Sequence, residues 1–600
     1  MTTTSPPGWP HCGYDSSTGD PVGCRGITIP GSANCLAHAA PAERTAYLGS
    51  LAPGGELNLC GVTISSSLLD DVLAQFTEPG TGHLRIGAAR FDSATFTGDV
   101  FFDSATFTGD AWFNSATFTG QAIFDSATFN GEASFDSATF NGDAVFNSAT
   151  FSGDALFESA TFARDAWFTP VTFTGKAWFT HGNFMANADF SSANFTGAAW
   201  FLTTAFSQDA HFGSATFTGN VVFEWAAFAG EAEFRSASFE RAAFLGPLRG
   251  DRVDLSEATF GSPIRVEIDA KSLVCRRTHW LDTARVWVRY AEVDLSDAVF
   301  DHPLTIAARR RPPATGAGAF ADADPQAQVT SLQGVDAAHL VLTDMDLSRC
   351  LFSGTVHLDQ VRLEGQYRLA TAPAGLRRRG VWPVRWTPRR TLAEEHHWRA
   401  SRQVGADGWE PAPQGREVLT PAALAPVYRQ LRKSFEDGKH EPGAADFYYG
   451  EMEMRRHADD IPRGERRLLT LYWALSGYGL RASRALGWLL AAMTLTVLLM
   501  MLWGLPQGDT PTRSTGDLTG RHVVLTTTNA DPANPTGPLH RRLTSGRFEK
   551  SLRVVVNSVV FRSSGQGLTT TGTYTEMASR LTEPVLLGLA ALAVRSRIKR

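Results

Sequence analysis

The chain has 600 residues with a formal net charge of -6, 39 Phe and six Cys. That length exceeds one ordinary core, so the chain either divides into several domains or spreads its core along a repeat axis, and six cysteines are too few for a disulfide framework. The charge is uneven: residues 91–245 hold 17 Asp and Glu against four Lys and Arg, a net of -13, leaving about +7 for the remainder.

Residues 1–40 carry Cys12, Cys24, Cys35 and His38 in "PHCGYDSSTGDPVGCRGITIPGSANCLAH". Three thiols and an imidazole form an acceptable tetrahedral zinc set, and Cys35 and His38 stand at a plausible ligand spacing, although the longer gaps are not those of a standard pair of knuckles. The alternative reading packs the cysteines as small apolar residues. The opening "MTTTSPPGWPHCGYDSS" has no basic stretch followed by an apolar one, so the N-terminal bulk is expected in the reducing cytoplasm. Residues 41–90 contain "PAERTAYLGSL" and "SSSLLDDVLAQF", two short helices expected to form an N-terminal cap on the region after residue 90.

Residues 91–245 hold the repeat. Stepping by 11 from Phe91 reaches Phe at every position to Phe234, and the same step from Phe96 reaches Phe to Phe239. The inward ladder therefore begins Phe91, Phe96, Phe102, Phe107, Phe113, Phe118, Phe124, Phe129, Phe135, Phe140, Phe146 and Phe151. A small residue stands two positions before most of them, such as Ala105 before Phe107 and Ala111 before Phe113. In extended backbone residues i and i-2 share a side, so Ala and Phe point inward together, while Asp, Ser, Thr and Gly make the corners. The spacing lacks the sustained threes and fours of a helix and predicts a β-solenoid. The recurring Asp92, Asp103 and Asp125 are expected to be solvating turn carboxylates.

These units resemble the pentapeptide-repeat family. The resemblance implies a right-handed, four-sided β-helix with the central Phe and the preceding small residue inside, although one half of each unit here has six residues. Two 11-mers would make one 22-residue coil, giving seven coils and a rod of roughly 33 Å; a flattened 11-residue coil is the second expectation. "VDLSEATF", "VDLSDAVF" and "MDLSRCLF" place Leu255, Leu295 and Leu347 five residues before Phe260, Phe300 and Phe352. The solenoid is therefore expected to continue irregularly over 246–370, interrupted by excursions such as "ARRRPPATGAGAF".

Residues 371–420 are rich in Arg and Trp and read as a linker able to touch phosphate or anionic lipid; His396 and His397 lack the spacing of a helical metal pair. Residues 421–484 read as a helical hairpin broken at "DGKHEPG", with Val427, Leu431 and Phe435 on one face, followed by a juxtamembrane stretch. The pair resembles a single tetratricopeptide-like unit.

Residues 485–600 form the expected membrane region. The uncharged stretch 485–505 suffices to cross a hydrocarbon core, and Arg466, Arg467, Arg481 and Arg484 before it put the solenoid on the cytoplasmic side. A second span is expected at 577–594, after an extracytoplasmic loop at 506–576. The layout resembles two-helix ion-channel subunits in degenerate form: Thr570, Thr571, Gly572, Thr573 and Tyr574 stand where a potassium filter would read T-V-G-Y-G. The "GYG" at Gly477–Gly479 precedes the first span.

No nucleophile with a base, carboxylate pair in a cleft or phosphate loop emerges at usable spacing, so no enzyme is expected. The leading expectation is a membrane-anchored scaffold with a cytoplasmic protein partner. A channel-like subunit regulated or assembled by the solenoid is the first alternative, with copies associating through the membrane region. DNA mimicry toward topoisomerases, known for some members of the resembled family, is the second. The bilayer is an expected partner, direct nucleic-acid binding is not, and no cofactor is implied beyond the zinc.

Overall fold

Alternation of small residue, outward residue and Phe decides the architecture, because each short extended run buries two of its three side chains against the run beneath it. In the computed structural model, which describes residues 6–17, 20–309, 327–379, 382–385, 387–402, 408–507, 512–519, 522–529, 532–560 and 567–598, these runs stack into a β-solenoid of about 12 turns. The described chain forms two compact units, residues 1–418 and 419–600.

Parallel pairing sets the coil length. Thr128 and Phe129 face Thr150 and Phe151, and Ala122 faces Ala144, so successive rungs lie 22 residues apart. A coil has four two-residue strands, for example Thr106–Phe107, Ala111–Trp112, Thr117–Phe118 and Ala122–Ile123. The flattened 11-residue coil is not adopted. All twelve ladder phenylalanines from Phe91 to Phe151 are at most 1% exposed. Rings in one column stack nearly parallel, as Phe118 on Phe140 at 4.7 Å, while rings from neighbouring columns meet edge to face, as Phe124 with Phe135 at 5.6 Å.

Corners recur with the same backbone. Ser104, Ser115, Ser126, Ser137, Ser148 and Ser159 all have φ between 53° and 58°, the left-handed region, and this turns the chain from one face to the next. At another corner column the backbones approach so closely that a Cβ on Gly175 would collide with the Gly153 carbonyl oxygen. Glycine is required there by contact with the coil below.

The stack begins earlier than residue 91. Leu57–Asn58 pairs with Ala89–Arg90, and Thr63–Ser65 with Thr95–Thr97, so the segment expected as a purely helical cap supplies the first coil. Helix α1 (Pro41–Leu48) precedes that coil, and α2 (Ser66–Ala74) is inserted in it, with the Ser65 hydroxyl accepting from the Leu68 N–H. Beyond 245 the coils become less regular, with long strands at Phe244–Asp254 and Ile264–Val274. Leu255, Phe260, Leu295, Phe300, Leu347 and Phe352 are all buried, as their spacing predicts. Most of the excursion "ARRRPPATGAGAF" lies outside the described residues.

The parallel stack stops at Arg368–Thr371, whose next partner, Arg390–Thr391, runs antiparallel. Helix α3 (Ala393–Ala400) follows and packs Glu394 onto the last coil, where its Oε1 accepts from the Phe352 and Ser353 N–H groups. Part of the expected linker is thus a C-terminal cap. A carboxylate there satisfies backbone donors that a further coil would otherwise take. His396 joins the same cap, hydrogen-bonded to Thr391 and edge-on to Trp409.

The second unit is mainly helical. Helices α4 (Pro421–Asp437) and α5 (Glu441–His457) form the expected hairpin, with Val427, Leu431 and Phe435 buried and Phe435 against Phe447 at 5.0 Å. Helix α6 (Arg463–Ser476) leads through Gly477–Gly479 into α7 (Ala482–Leu499), which continues as a π-helical turn to Gly504. An antiparallel strand pair, Thr512–Thr519 with His522–Asn529, and helices α8 (Ser545–Val560) and α9 (Thr570–Ile598) follow.

Candidate functional site

Three regions concentrate chemistry. In the first, an antiparallel bridge joins His11 to Ile27 and another joins Thr28 to Cys35, drawing three segments of residues 6–40 together. The donor atoms of Cys12, Cys24, Cys35 and His38 lie within 4.8 Å of one another. Cys12 Sγ is 3.7 Å and Cys35 Sγ 3.5 Å from His38 Nδ1, and Cys24 Sγ is 3.8 Å from Cys35 Sγ. All six cysteines are free thiols. Burial pushes the Cys35 thiol up to about 12 and raises Cys24 as well. The cluster attaches to the solenoid through Ile27, whose N–H donates to the Cys60 carbonyl at 2.8 Å.

The second region is the outer surface of the coils. Between each inward Ala and Phe one side chain points out, and the 22-residue register stacks these into columns. One column runs Trp112, Ser134, Leu156, Trp178, Trp200 and Val222, with the Trp178 and Trp200 rings stacked at 4.1 Å. Another begins Phe101, Ile123, Val145 and Trp167, then turns polar at Asp189, His211 and Glu233. The two faces between them carry mostly Thr, as in Thr106, Thr128, Thr150 and Thr172. Reading the sequence at a period of 22 rather than 11 would have exposed these columns.

Acidic corners do more than solvate. Asp99, Asp110, Asp154 and Asp209 each accept, at 2.8–2.9 Å, from a backbone N–H 22 residues on, tying one coil to the next. Of the three named from the sequence, Asp92 accepts from the Asn114 amide at 2.9 Å. Asp125 lies one rung above Asp103; burial, then the neighbouring Asp103 charge, raises its pKa.

The third region is the C-terminal helix set. Among the described residues two helices are long and apolar enough to cross a membrane, over Ala482–Gly504 and Thr570–Arg595, the second beginning seven residues before the expected 577. The earlier start comes from Thr569, whose hydroxyl accepts from the Gly572 N–H while its own N–H donates to the Gly504 carbonyl. Thr570–Tyr574 is therefore the first turn of α9, and its carbonyls do not form an extended filter strand. Between the two helices the Thr496 hydroxyl donates to Glu583 Oε1 at 2.8 Å; Glu583 is fully buried and its Oε2 has no hydrogen-bond partner. The "GYG" is a clasp: the Tyr478 hydroxyl donates to Glu453 Oε2 of α5 at 3.0 Å, and its ring packs against Tyr449 and Tyr472.

The family described as Pentapeptide repeats (9 copies) matches residues 87–128, 124–172 and 135–183, all within the solenoid. No curated protein and no solved structure matches the chain.

Proposed function

We propose that this β-solenoid protein, whose residues 87–183 match the pentapeptide-repeat family, is a non-enzymatic interaction scaffold held at the cell membrane by α7 and α9. The solenoid faces the cytoplasm in this reading, because Arg466, Arg467 and Arg481 precede α7 and Arg484 lies in its first turn. Membrane attachment is supported further by α6, which exposes Leu468 and Leu471.

The observation that carries the scaffold reading is the outward column containing Trp112, Leu156, Trp178 and Trp200 on a rigid repeating frame. Tryptophan presents a large, conformationally restricted surface to a protein partner, and truncating such anchors typically costs about 2 kcal/mol or more of binding. The test is native co-purification of the full chain from its own membranes, beside Trp178→Ser with Trp200→Ser. A defined protein retained at constant stoichiometry and lost from the folded double variant supports the reading. Equal retention by both chains counts against the column as the binding face.

A second reading, a channel-like subunit, is favoured by Glu583 hydrogen-bonded to Thr496 between the two apolar helices. Ionisable groups at membrane depth usually belong to ion or proton paths. Ion flux through liposomes holding the full chain, abolished by Glu583→Leu, would place this reading first. No flux from well-incorporated protein would leave the two helices as an anchor.

A further inference from the structure

We infer that Cys12, Cys24, Cys35 and His38 bind one zinc ion, which folds the N-terminal module and holds it on the first coil of the solenoid. Tetrahedral zinc with Zn–S near 2.3 Å and Zn–N of 2.0–2.1 Å sets ligand separations of about 3.8 Å between sulfurs and about 3.5 Å between sulfur and nitrogen. The Cys24–Cys35 pair at 3.8 Å and the two sulfur–imidazole pairs at 3.7 and 3.5 Å have those values. A disulfide would need sulfurs about 2.05 Å apart and would leave the other thiol and the imidazole unexplained.

The surroundings are built for the same four groups. A Cβ on Gly26 would lie 2.9 Å from the Cys35 Cβ, so only glycine leaves room for that thiol's position. The Cys12 N–H donates to the Gly26 carbonyl and the Cys24 N–H to the Tyr14 carbonyl, which fixes both cysteines on paired backbone. Tyr14 stacks on the His38 ring at 4.2 Å, orienting the imidazole that turns Nδ1 toward the sulfurs.

Need and chemistry agree with the geometry. Among the described residues ahead of α1, only Val22, Ile29, Cys35, Leu36 and Ala39 are buried apolar groups, too few for a core of its own. Three soft thiolates with an imidazole favour zinc over magnesium or calcium, and four protein ligands leave no open position for a substrate, so the ion is structural. Its binding energy becomes folding energy for the module.

The test is elemental analysis of the full-length protein in detergent, purified without chelator, followed by cobalt replacement. About one zinc per chain, and the absorption of a tetrahedral thiolate–cobalt site after replacement, are expected. Cys35→Ser should reduce the metal at least about tenfold, whereas Cys275→Ala, buried in the solenoid, should retain it. If Cys35→Ser fails to fold, a chelator added to the native protein should instead release the zinc and expose three reactive thiols in the wild-type chain. Protein without metal that takes up no cobalt, or a Cys24–Cys35 disulfide found by mass spectrometry, would overturn the inference.

Discussion

At the residue scale, the solenoid rests on side chains that repeat in kind and position. Phe151 is fully buried, stacked on Phe129 at 4.7 Å and on Phe173 at 5.0 Å. Phe151→Asp would bury an unpaired carboxylate in a column of rings, at a cost of several kcal/mol or more by order of magnitude. Because each coil touches only its neighbours, the expected outcome is a local break: a lowered melting transition and new proteolytic cleavage near that rung. Unchanged melting would contradict the inward register. This register was legible in the sequence because Phe and Ala mark it at every step. Glu394 was not, since one carboxylate in "LAEEHHW" carries no periodicity and its partners, Phe352 and Ser353, are about 40 residues away. The thiol cluster lay between these cases: its residue types allowed either a metal set or small apolar packing, and only the fold brings gaps of eleven and ten residues to one point.

At the element scale, the two ends of the solenoid are closed by different chemistry. The first coil receives the N-terminal module through Ile27 and Cys60, while the last receives α3 through Glu394. Burial pushes the Glu394 carboxyl up to about 7, against the opposing effect of hydrogen bonds from its own N–H and those of Phe352 and Ser353. A carboxyl whose folded-state pKa lies above its unfolded value binds its proton more tightly when folded. Its contribution is therefore fully present below the unfolded value near 4.5 and is lost as pH rises through about 7. Hydrogen exchange at Phe352 and Ser353, corrected for intrinsic rates, should show the cap weakening between pH 5 and 8 by no more than about 3 kcal/mol. Glu394→Gln should flatten that dependence, and an unchanged pH profile in the variant would assign the effect elsewhere. The linker expectation missed this cap because its Arg and Trp content resembles a solvated connector, whereas Glu395 is buried between Arg389 and Arg399.

At the scale of the whole molecule, a repeat solenoid and a helical unit with two apolar spans divide the work of recognition and attachment in the proposed account. The sequence made both parts legible, through period in one and uncharged length in the other. It did not reveal how α5 meets the α6–α7 turn, where Tyr478 bonds to Glu453, because that pairing depends on a left-handed turn at Gly477–Gly479. Nor did it show that the Thr-rich stretch after α8 begins a helix. Attachment through α7 and α9 is the claim on which the scaffold reading most depends. Its direct test is alkaline carbonate extraction of membranes from cells producing the full chain, beside a chain ending at residue 481. The account predicts that the full chain stays in the membrane pellet while the shortened one is released. Release of the full chain into the carbonate wash would contradict it.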